Sequence, residues 1–230
     1  MTRVAIETLG CKLNQAESES LINQLKQADC RIVSFQEEAD IYVVQTCTVT
    51  HVADRKCRHL LSLARRLNPQ AKLIAIGCYA EDLEKRNEKI KPDLILNNAQ
   101  KVELLNILRQ KEWIKPGKEE KEKAVVNRTR SFIKAQDGCN SRCAYCIVPA
   151  VRGPERSLSH REIIAAIRNS MDHGHQEVVL TGTEIGRYKY DRTEIVELVE
   201  KILAETAIPR LRLSSLQPAE ISPELVALWQ

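Results

Sequence analysis

The sequence has few aromatic residues and little excess charge. Phe, Trp and Tyr make up 4% of its 230 residues, so it lacks the interleaved basic and aromatic surface that stacks single-stranded bases. It has 35 Lys and Arg and 31 Asp and Glu, which gives a formal net charge of +4. This charge is small for a protein that binds nucleic-acid phosphates. The composition therefore permits an RNA partner without predicting one.

The sequence also lacks long apolar runs. No stretch approaches the length that a membrane helix needs, and residues 1–10 have no basic patch followed by an apolar run. We therefore predict a cytoplasmic protein without membrane contact. In a reducing cytoplasm the eight cysteines are weak evidence for disulfides, and a chain with 43% hydrophobic residues can bury two cores without them. Metal binding or redox chemistry is then the expected use of clustered thiols.

Strand and helix patterns alternate along the first hundred residues. Strand patterns cover residues 4–9, 41–45, 72–76 and 94–96, and helical patterns cover residues 16–28, 52–67 and 102–108. Such alternation is typical of a parallel sheet with helices on both faces. The predicted fold class is α/β, beginning with a doubly wound domain.

A charged stretch with Pro116 and Gly117 interrupts this pattern. We predict a first domain over residues 1–112, a charged linker over 113–128 and a second domain over 129–230. The second domain repeats the alternation, with strands at 131–136, 178–181 and 211–214 and helices at 161–171 and 193–203. Ser222 and Pro223 predict a helix start close to the end of the chain, so we interpret the chain as cut off before this second sheet closes.

The densest chemical signal is a loop with three cysteines directly after a predicted strand. Cys139, Cys143 and Cys146 have three and then two residues between them, so their sulfurs can point at one centre. A structural zinc site normally uses four ligands, whereas a 4Fe-4S cluster held by three cysteines leaves one iron for a substrate. We prefer a cluster to zinc, and zinc to three inert thiols.

A second set of cysteines is dispersed along the chain. Cys11, Cys47 and Cys78 are more than thirty residues apart, and each comes just after a predicted parallel strand. Carboxyl ends of parallel strands share one edge, so these thiols can converge there. Gly10 and Gly77, each directly before a cysteine, allow the backbone to turn closely around a bulky group.

Other candidate ligands are interpreted as structural. Cys57 lies on the apolar stripe of its helix and is predicted to pack in the core, and Cys30 follows a helix end without a partner. The histidines are predicted to be surface or capping residues, with His173 and His175 at helix-terminal carbonyls. The arginines after the cysteine loop, which are Arg152, Arg156 and Arg161, are interpreted as solvated charges.

At several places the motifs resemble the methylthiotransferase family of radical S-adenosylmethionine (SAM) enzymes. The opening block, residues 8–15 with 17–19, is most similar to the branch that acts on threonylcarbamoyladenosine in tRNA. The other matching blocks are residues 46–50, 77–80, 139–149 with 152–153, 180–182 with 185–186, and 210–215 with 218. Two positions depart from the family pattern, namely Leu158, where arginine is usual, and Ala16, where an aromatic residue is common.

The resemblance implies two 4Fe-4S clusters and SAM as cofactors. Cys139, Cys143 and Cys146 would hold the cluster that binds and cleaves SAM. Tyr145 would lie against the adenine, and further cofactor contacts would come from Thr181, Gly182 and Ser214. Cys11, Cys47 and Cys78 would hold an auxiliary cluster that carries the transferred sulfur. No catalytic residue is expected beyond the cluster ligands.

The implied reaction adds a methylthio group to C2 of N6-threonylcarbamoyladenosine in the anticodon stem-loop of tRNA. It needs an electron donor and a sulfur source, neither of which the sequence identifies. We expect the chain to be an incomplete and inactive fragment of such an enzyme. Three other readings remain open, which are a relative acting on a ribosomal protein, a non-catalytic iron-sulfur or zinc remnant, and a plain α/β domain pair with core cysteines.

Overall fold

The computed structural model of the protein describes residues 1–83, 89–115 and 129–229. Most of the predicted linker, residues 116–128, lies outside the described part. The chain divides into two compact units. One combines Met1–Glu122 with Tyr145–Arg152, and the other combines Lys123–Ala144 with Gly153–Gln230.

The first unit alternates strands and helices as its sequence pattern predicts. Its elements are β1 (Thr2–Thr8), α1 (Lys12–Gln27), β2 (Cys30–Val33), β3 (Ile41–Thr46), α2 (His51–Leu67), β4 (Lys72–Gly77), α3 (Ala80–Leu83), β5 (Leu94–Leu96) and α4 (Leu104–Gln110), with a 3₁₀ turn at Gln100–Glu103 before α4. Strand β2 was not predicted from the sequence. Only Cys30 of its four residues is buried, so it lacks a strong strand pattern.

All five strands of the first sheet are parallel, in the order β2-β1-β3-β4-β5. This is a doubly wound order, in which the strand sequence reverses between β1 and β3. Alternate residues of the central strands enter two separate cores. Val43 and Ile74 pack with α1 and α4 on one face, whereas Tyr42 and Val44 pack with α2 on the other. The predicted doubly wound domain is therefore confirmed.

The rest of the described chain begins with a strand and a short ladder around the cysteine loop. Its elements are β6 (Arg130–Lys134), β7 (Gln136–Asp137), α5 (Val148–Arg152), β8 (Arg156–Ser157), α6 (His160–Asp172), β9 (Glu177–Thr181), β10 (Lys189–Tyr190), β11 (Thr193–Glu194), α7 (Ile195–Glu205), β12 (Arg210–Leu213) and α8 (Pro223–Ala227). Short 3₁₀ turns occupy Ile185–Arg187 and Pro218–Glu220.

The second sheet is parallel, in the order β12-β9-β6. Helices α6 and α7 bury Ile163, Ile167 and Leu198 in one core with Val178 of β9. The strand and helix alternation expected for the first half of a radical SAM partial barrel is therefore present.

Local signals set the helix ends of the second unit. Ser159 caps α6 in a capping box with Glu162, and hydrogen bonds from Ser159 lower the pKa of the Glu162 carboxyl. Helix α7 begins at Ile195, two residues later than predicted, because Glu194 forms a capping box at its start. At the end of α6, His173 and His175 bond the carbonyl oxygens of Asn169 and Ser170, as predicted.

Helix α8 starts at Pro223 behind the N-cap Ser222, which confirms that expectation. Among the described residues, no helix is long and apolar enough to cross a membrane.

Candidate metal centres

The three dispersed cysteines lie at the ends of neighbouring parallel strands. Cys47 and Cys78 directly follow β3 and β4, and Cys11 comes three residues after β1. Strands β1, β3 and β4 are adjacent in the sheet, so their carboxyl ends meet at one edge. The edge between β1 and β3 is also where the strand order reverses, which is the usual ligand position of doubly wound sheets.

Two glycines allow the backbone to approach closely at this edge. Gly10 has φ +105°, and a Cβ there would lie 2.8 Å from Asn14 Nδ2, 2.9 Å from Cys47 Cβ and 3.1 Å from Cys47 Sγ. Gly77 has φ +98°, and a Cβ there would lie 2.9 Å from the carbonyl oxygen of Thr46. Both positions favour glycine for its backbone conformation as well as for space. Gly10 brings the chain before Cys11 against Cys47, and Gly77 brings the chain before Cys78 against Thr46.

Thr46 joins the ends of β3 and β4. Its hydroxyl donates to the carbonyl oxygen of Ile76 at 2.7 Å and accepts from the backbone N–H of Tyr79 at 3.1 Å. The residue is fully buried, so these bonds fix both strand ends without competition from water. Thr46 therefore positions the backbone on either side of Cys78 and directly before Cys47.

The pKa of the Cys47 thiol responds to the other two cysteines of this set. Burial raises the pKa of the Cys47 thiol, a backbone hydrogen bond from Val49 lowers it, and negative charge on Cys78 and Cys11 raises it again. The positive charge of Arg152 lowers the same pKa. Cys47 and Cys78 are buried, whereas Cys11 is exposed. The site is thus closed around two sulfurs and accessible at the third.

Cys30 and Cys57, which lie in the first unit, belong to the core. Cys57 is fully buried, its thiol donates to the carbonyl oxygen of Cys47 at 3.3 Å, and burial raises its pKa to about 12. Cys30 is buried on the opposite face of the sheet. Their predicted exclusion from ligand binding is consistent with these surroundings.

A short antiparallel ladder anchors the second cysteine site. Strands β7 and β8 pair at the base of the loop, and Asp137 of β7 is fully buried. Its carboxylate accepts from Lys134 Nζ at 2.8 Å, from Arg156 Nη2 at 3.1 Å and from the backbone N–H of Gly138 at 2.8 Å. The next residue must be glycine, because a Cβ at Gly138 would lie 2.0 Å from the carbonyl oxygen of Pro154. The entry to the loop is therefore fixed.

The three cysteines of the loop differ in exposure. Cys139 is buried, and its sulfur accepts from the backbone N–H of Ser141 and lies 3.3 Å from Glu184 Oε2. Cys143 and Cys146 are exposed. The division into units places Cys139 and Cys143 in the second unit and Cys146, with Tyr145, in the first.

Cys139 also lies in a group of charged side chains that the sequence did not reveal. Its sulfur and one oxygen each of Glu155 and Glu184 lie within 4.8 Å of one another. Arg187 pairs with both carboxylates, at 3.4 Å and 3.3 Å. The pKa of its guanidinium is raised, chiefly by the charge of Glu184. Because an arginine already compensates these carboxylates, we interpret them as positioning groups rather than as a separate cation site.

Three of the four predicted cofactor contacts lie at the carboxyl edge of the second sheet. Thr181 ends β9 and Ser214 follows β12, and the Ser214 hydroxyl lies 3.1 Å from the Thr181 hydroxyl in buried surroundings. A Cβ at Gly182 would lie 2.7 Å from Gln136 Oε1, and that oxygen accepts from the backbone N–H of Glu184. The fourth, Tyr145, is 92% exposed.

Arg152 corrects one expectation. Its place in the sequence predicts a solvated loop charge, but only 5% of it is exposed, and it pairs with Asn14 and Glu17 of α1. Lys101 is buried in the same place and pairs with Glu17. A signal for Asn14 and Glu17 was available in the sequence, since they lie three residues apart on a helix whose apolar stripe includes Leu21. Nothing comparable marked Lys101.

The residue chemistry of both cysteine sets fits iron-sulfur clusters. Thiolate sulfur is the ligand that such clusters use. The first site adds a close glycine turn and a nearby cation, and the second adds a rigid loop entry with one buried thiol. Soft thiolate ligands also suit zinc, so this chemistry does not by itself choose the metal.

Comparison with known protein families bears on that choice. Residues 3–97 match "Uncharacterized protein family UPF0004", and residues 133–227 match the Radical SAM superfamily. The second match implies a 4Fe-4S cluster and SAM as cofactors.

The chain also resembles named proteins over nearly its whole length. It is 37% identical, over 98% of its residues, to Threonylcarbamoyladenosine tRNA methylthiotransferase MtaB of Aquifex aeolicus, and covers 59% of that protein. It is 32% identical to the protein of the same name from Bacillus subtilis, covering 98% of this chain and 54% of that protein. The chain thus spans somewhat more than half the length of these relatives.

One solved structure supports the fold. The radical S-adenosylmethionine methyltransferase TsrM of Kitasatospora setae aligns with 99% of this chain and 57% of its own, with a TM-score of 0.63 at 14% identity. Together, the two family matches in this order and the names of the relatives support a radical SAM methylthiotransferase, of which this chain spans somewhat more than half.

Proposed function

We propose that this chain carries the two iron-sulfur centres of a tRNA methylthiotransferase, which adds a methylthio group to C2 of N6-threonylcarbamoyladenosine near the anticodon. The observation that carries the proposal is the position of Cys11, Cys47 and Cys78 after three adjacent parallel strands, in a chain that also has the Cys139 loop. The printed names of the relatives support the choice of tRNA and of the modified base.

In this proposal the domains keep the boundaries expected from the sequence. Residues 1–112 form the domain with the auxiliary centre, residues 113–128 the linker and residues 129–230 the radical SAM domain. Cys11, Cys47 and Cys78 hold one 4Fe-4S cluster, and Cys139, Cys143 and Cys146 hold the other. When bound, the clusters and SAM supply the one-electron cleavage of the sulfonium and the sulfur that is transferred.

The contribution of the protein is to position these groups and to exclude water. In the first unit the buried Thr46 fixes the strand ends beside Cys47 and Cys78, so that their thiols are held before any metal binds. In the second unit the Asp137 contacts fix the start of the loop. Thr181 and Ser214 place two hydroxyls at the sheet edge, where polar groups of a cofactor can be bound.

Tyr145 would cover the adenine of SAM. A phenol ring that is 92% exposed offers a face on which a purine can stack. Arg152 and Lys101 place positive charge beside the first site, which suits a site that holds several thiolates.

The direct test is cleavage of SAM by the anaerobically reconstituted chain. With SAM and dithionite supplied, we expect 5′-deoxyadenosine by mass spectrometry, and Cys143→Ala should abolish it. Cys57→Ala, which alters a core thiol, should retain it. Bound iron without deoxyadenosine would leave a non-catalytic iron-sulfur protein, and bound zinc would contradict the radical reaction.

The substrate is tested with a protein of the relatives' length, because this chain covers 59% of the Aquifex aeolicus protein. The protein is incubated separately with tRNA that carries threonylcarbamoyladenosine and with ribosomal protein. Mass spectrometry should show the gain of a methylthio group only in the tRNA. A gain only in the ribosomal protein would contradict the proposed substrate. We also propose that the chain alone does not modify tRNA, and turnover by the isolated chain would refute that.

A further inference from the structure

Three charged side chains are buried together beside the first cysteine site. Glu17 of α1 accepts from Lys101 Nζ through one carboxylate oxygen and pairs with Arg152 Nη1 through the other, at 3.6 Å. The side chains of Glu17, Lys101 and Arg152 are at most 10% exposed. All three belong to the first compact unit. The group thus places two cations and one anion beside the first cysteine site.

An amide connects this group to a cysteine. Asn98 Oδ1 accepts from Lys101 Nζ at 2.6 Å, while Asn98 Nδ2 donates to Cys78 Sγ at 3.4 Å and to the carbonyl oxygen of Val151 at 2.6 Å. Because the ammonium can only donate, it forces the oxygen of the amide toward Lys101 and the NH₂ toward sulfur. Lys101 therefore sets the orientation of the N–H···S contact.

A second amide connects the group to the other two cysteines. Asn14 Oδ1 accepts from Arg152, and Asn14 Nδ2 donates to the carbonyl oxygens of Leu9 at 2.6 Å and Thr46 at 3.0 Å. Leu9 is two residues before Cys11, and Thr46 is directly before Cys47. The guanidinium also acts on the Cys47 thiol through its charge. Each cysteine of the site is thus linked to a buried cation.

Stability alone is a weak reason for such a group. Removing charges from water is costly, and replacing a buried ionic triad with apolar side chains is often neutral or stabilising. Hydrogen bonds to the sulfurs and nearby charge are, in contrast, established determinants of the reduction potential of iron-sulfur clusters. The placement of the charges fits the second role.

We propose that Lys101, Glu17 and Arg152 are positioning residues that set the reduction potential of the cluster held by Cys11, Cys47 and Cys78, with Asn98 as the contact to sulfur. The inference rests on the proposed function, since it needs a cluster at this site. Each nearby cation and the N–H···S bond favour the reduced, more negative cluster, and the nearby anion disfavours it. Removing a cation must lower the potential, and removing the anion must raise it.

The test uses the full chain with Cys139, Cys143 and Cys146 replaced by alanine, which leaves only the first set of cysteines. After anaerobic reconstitution, the midpoint potential is measured by a redox titration followed by electron paramagnetic resonance. Lys101→Met and Asn98→Ala should lower the potential, and Glu17→Gln should raise it. Each charge change should shift the ratio of oxidised to reduced cluster about tenfold, which is 59 mV for one electron.

Two further variants separate this role from folding. Lys115→Met removes an exposed lysine of the same unit and should leave the potential unchanged. The double variant Lys101→Met with Glu17→Gln removes one charge of each sign, so Glu17 is not left without Lys101. Its midpoint potential should lie between those of the two single variants.

The inference would be overturned if the variants had the same midpoint potential as the parent, or if Lys101→Met and Glu17→Gln shifted it in the same direction. Either result would leave the cluster itself in place. A parent chain that binds no iron would overturn both the first-site cluster and the inference.

Discussion

The two cysteine sites are built in different ways. The first is proposed from thiols that lie more than thirty residues apart, and it depends on β1, β3 and β4 being adjacent and parallel. The second takes its three thiols from eight consecutive residues, and the fold contributes mainly the anchoring of Asp137 and Gly138. The first site should therefore depend on buried polar contacts across the sheet edge, and the second on the backbone at the entry to one loop.

The largest effect is expected where the loop leaves β7. Gly138→Ala combines φ +74° with a Cβ 2.0 Å from a backbone oxygen, so the loop entry must move. We expect a loss of about 4 kcal/mol or more in the free energy of unfolding. Chemical denaturation measures it. Gly153→Ala is the matched control, because Gly153 has φ +75° but a Cβ there would have no atom within 4 Å. This variant should lose only about 1–2 kcal/mol in the free energy of unfolding. Equal losses would mean that the close contact is not what requires glycine.

The corresponding change at the first site is Asn14→Ala. It removes the donor to one buried and one partly buried carbonyl oxygen and the partner of Arg152. Buried groups left without partners cost about 1–3 kcal/mol each, so we expect a loss of about 3 kcal/mol by chemical denaturation. Gln24→Ala on the exposed side of the same helix should change stability by less than about 0.5 kcal/mol. A small effect of Asn14→Ala would show that the first site does not depend on this contact.

A smaller, pH-dependent effect is expected in the second unit. Tyr188 is buried and donates to the carbonyl oxygen of Leu158 at 2.8 Å, and burial raises its pKa to about 12. An unfolded tyrosine titrates near pH 10. The resulting stability is fully present below about pH 10 and is lost as the pH rises toward 12, by on the order of 2 kcal/mol.

Tyr188→Phe should remove this alkaline loss, at the expense of about 1 kcal/mol at neutral pH for the missing hydrogen bond. Denaturation curves from pH 8 to 12 measure both effects. Tyr190→Phe, a change at a partly exposed neighbour, should keep the loss. An unchanged pH profile in Tyr188→Phe would assign the alkaline transition to another group.

The smallest effect is expected at the core thiol beside the first site. Cys57→Ala leaves a small cavity and should cost about 1 kcal/mol, without changing the iron content after reconstitution. Denaturation and iron analysis of the same sample measure both. A loss of about four irons would make Cys57 part of the centre and would contradict its interpretation as a packing residue.

Much of the fold could be predicted because its signals are local. Short β-rich segments and amphipathic stripes mark the central strands and α2, and the rule that parallel strands share one carboxyl edge then brings Cys11, Cys47 and Cys78 together. Ser222 and Pro223 identified the start of α8 through their own capping chemistry. Strand β2 was missed because it lies at the edge of the sheet with a single buried residue.

The charged group behind the first site could not be predicted in the same way. Lys101 and Arg152 are of residue types that usually lie at the surface, and their burial depends on packing between segments far apart in the sequence. The contact of Glu184 with Cys139, and the pairing of Arg187 with Glu184, likewise depend on how the chain returns after β9. Sequence patterns therefore indicated the thiols of each site, and the structure added the charges around them.

The central claim is that the chain holds two four-iron clusters on two separate sets of cysteines. Its most direct test is a count of iron, acid-labile sulfide and zinc per chain after strictly anaerobic reconstitution. We predict about eight irons with matching sulfide in the parent chain and about four in either Cys47→Ala or Cys143→Ala. The account would be contradicted if the parent held about four irons per chain and one of the two variants lost no further iron. About one zinc per chain in place of iron would also contradict it.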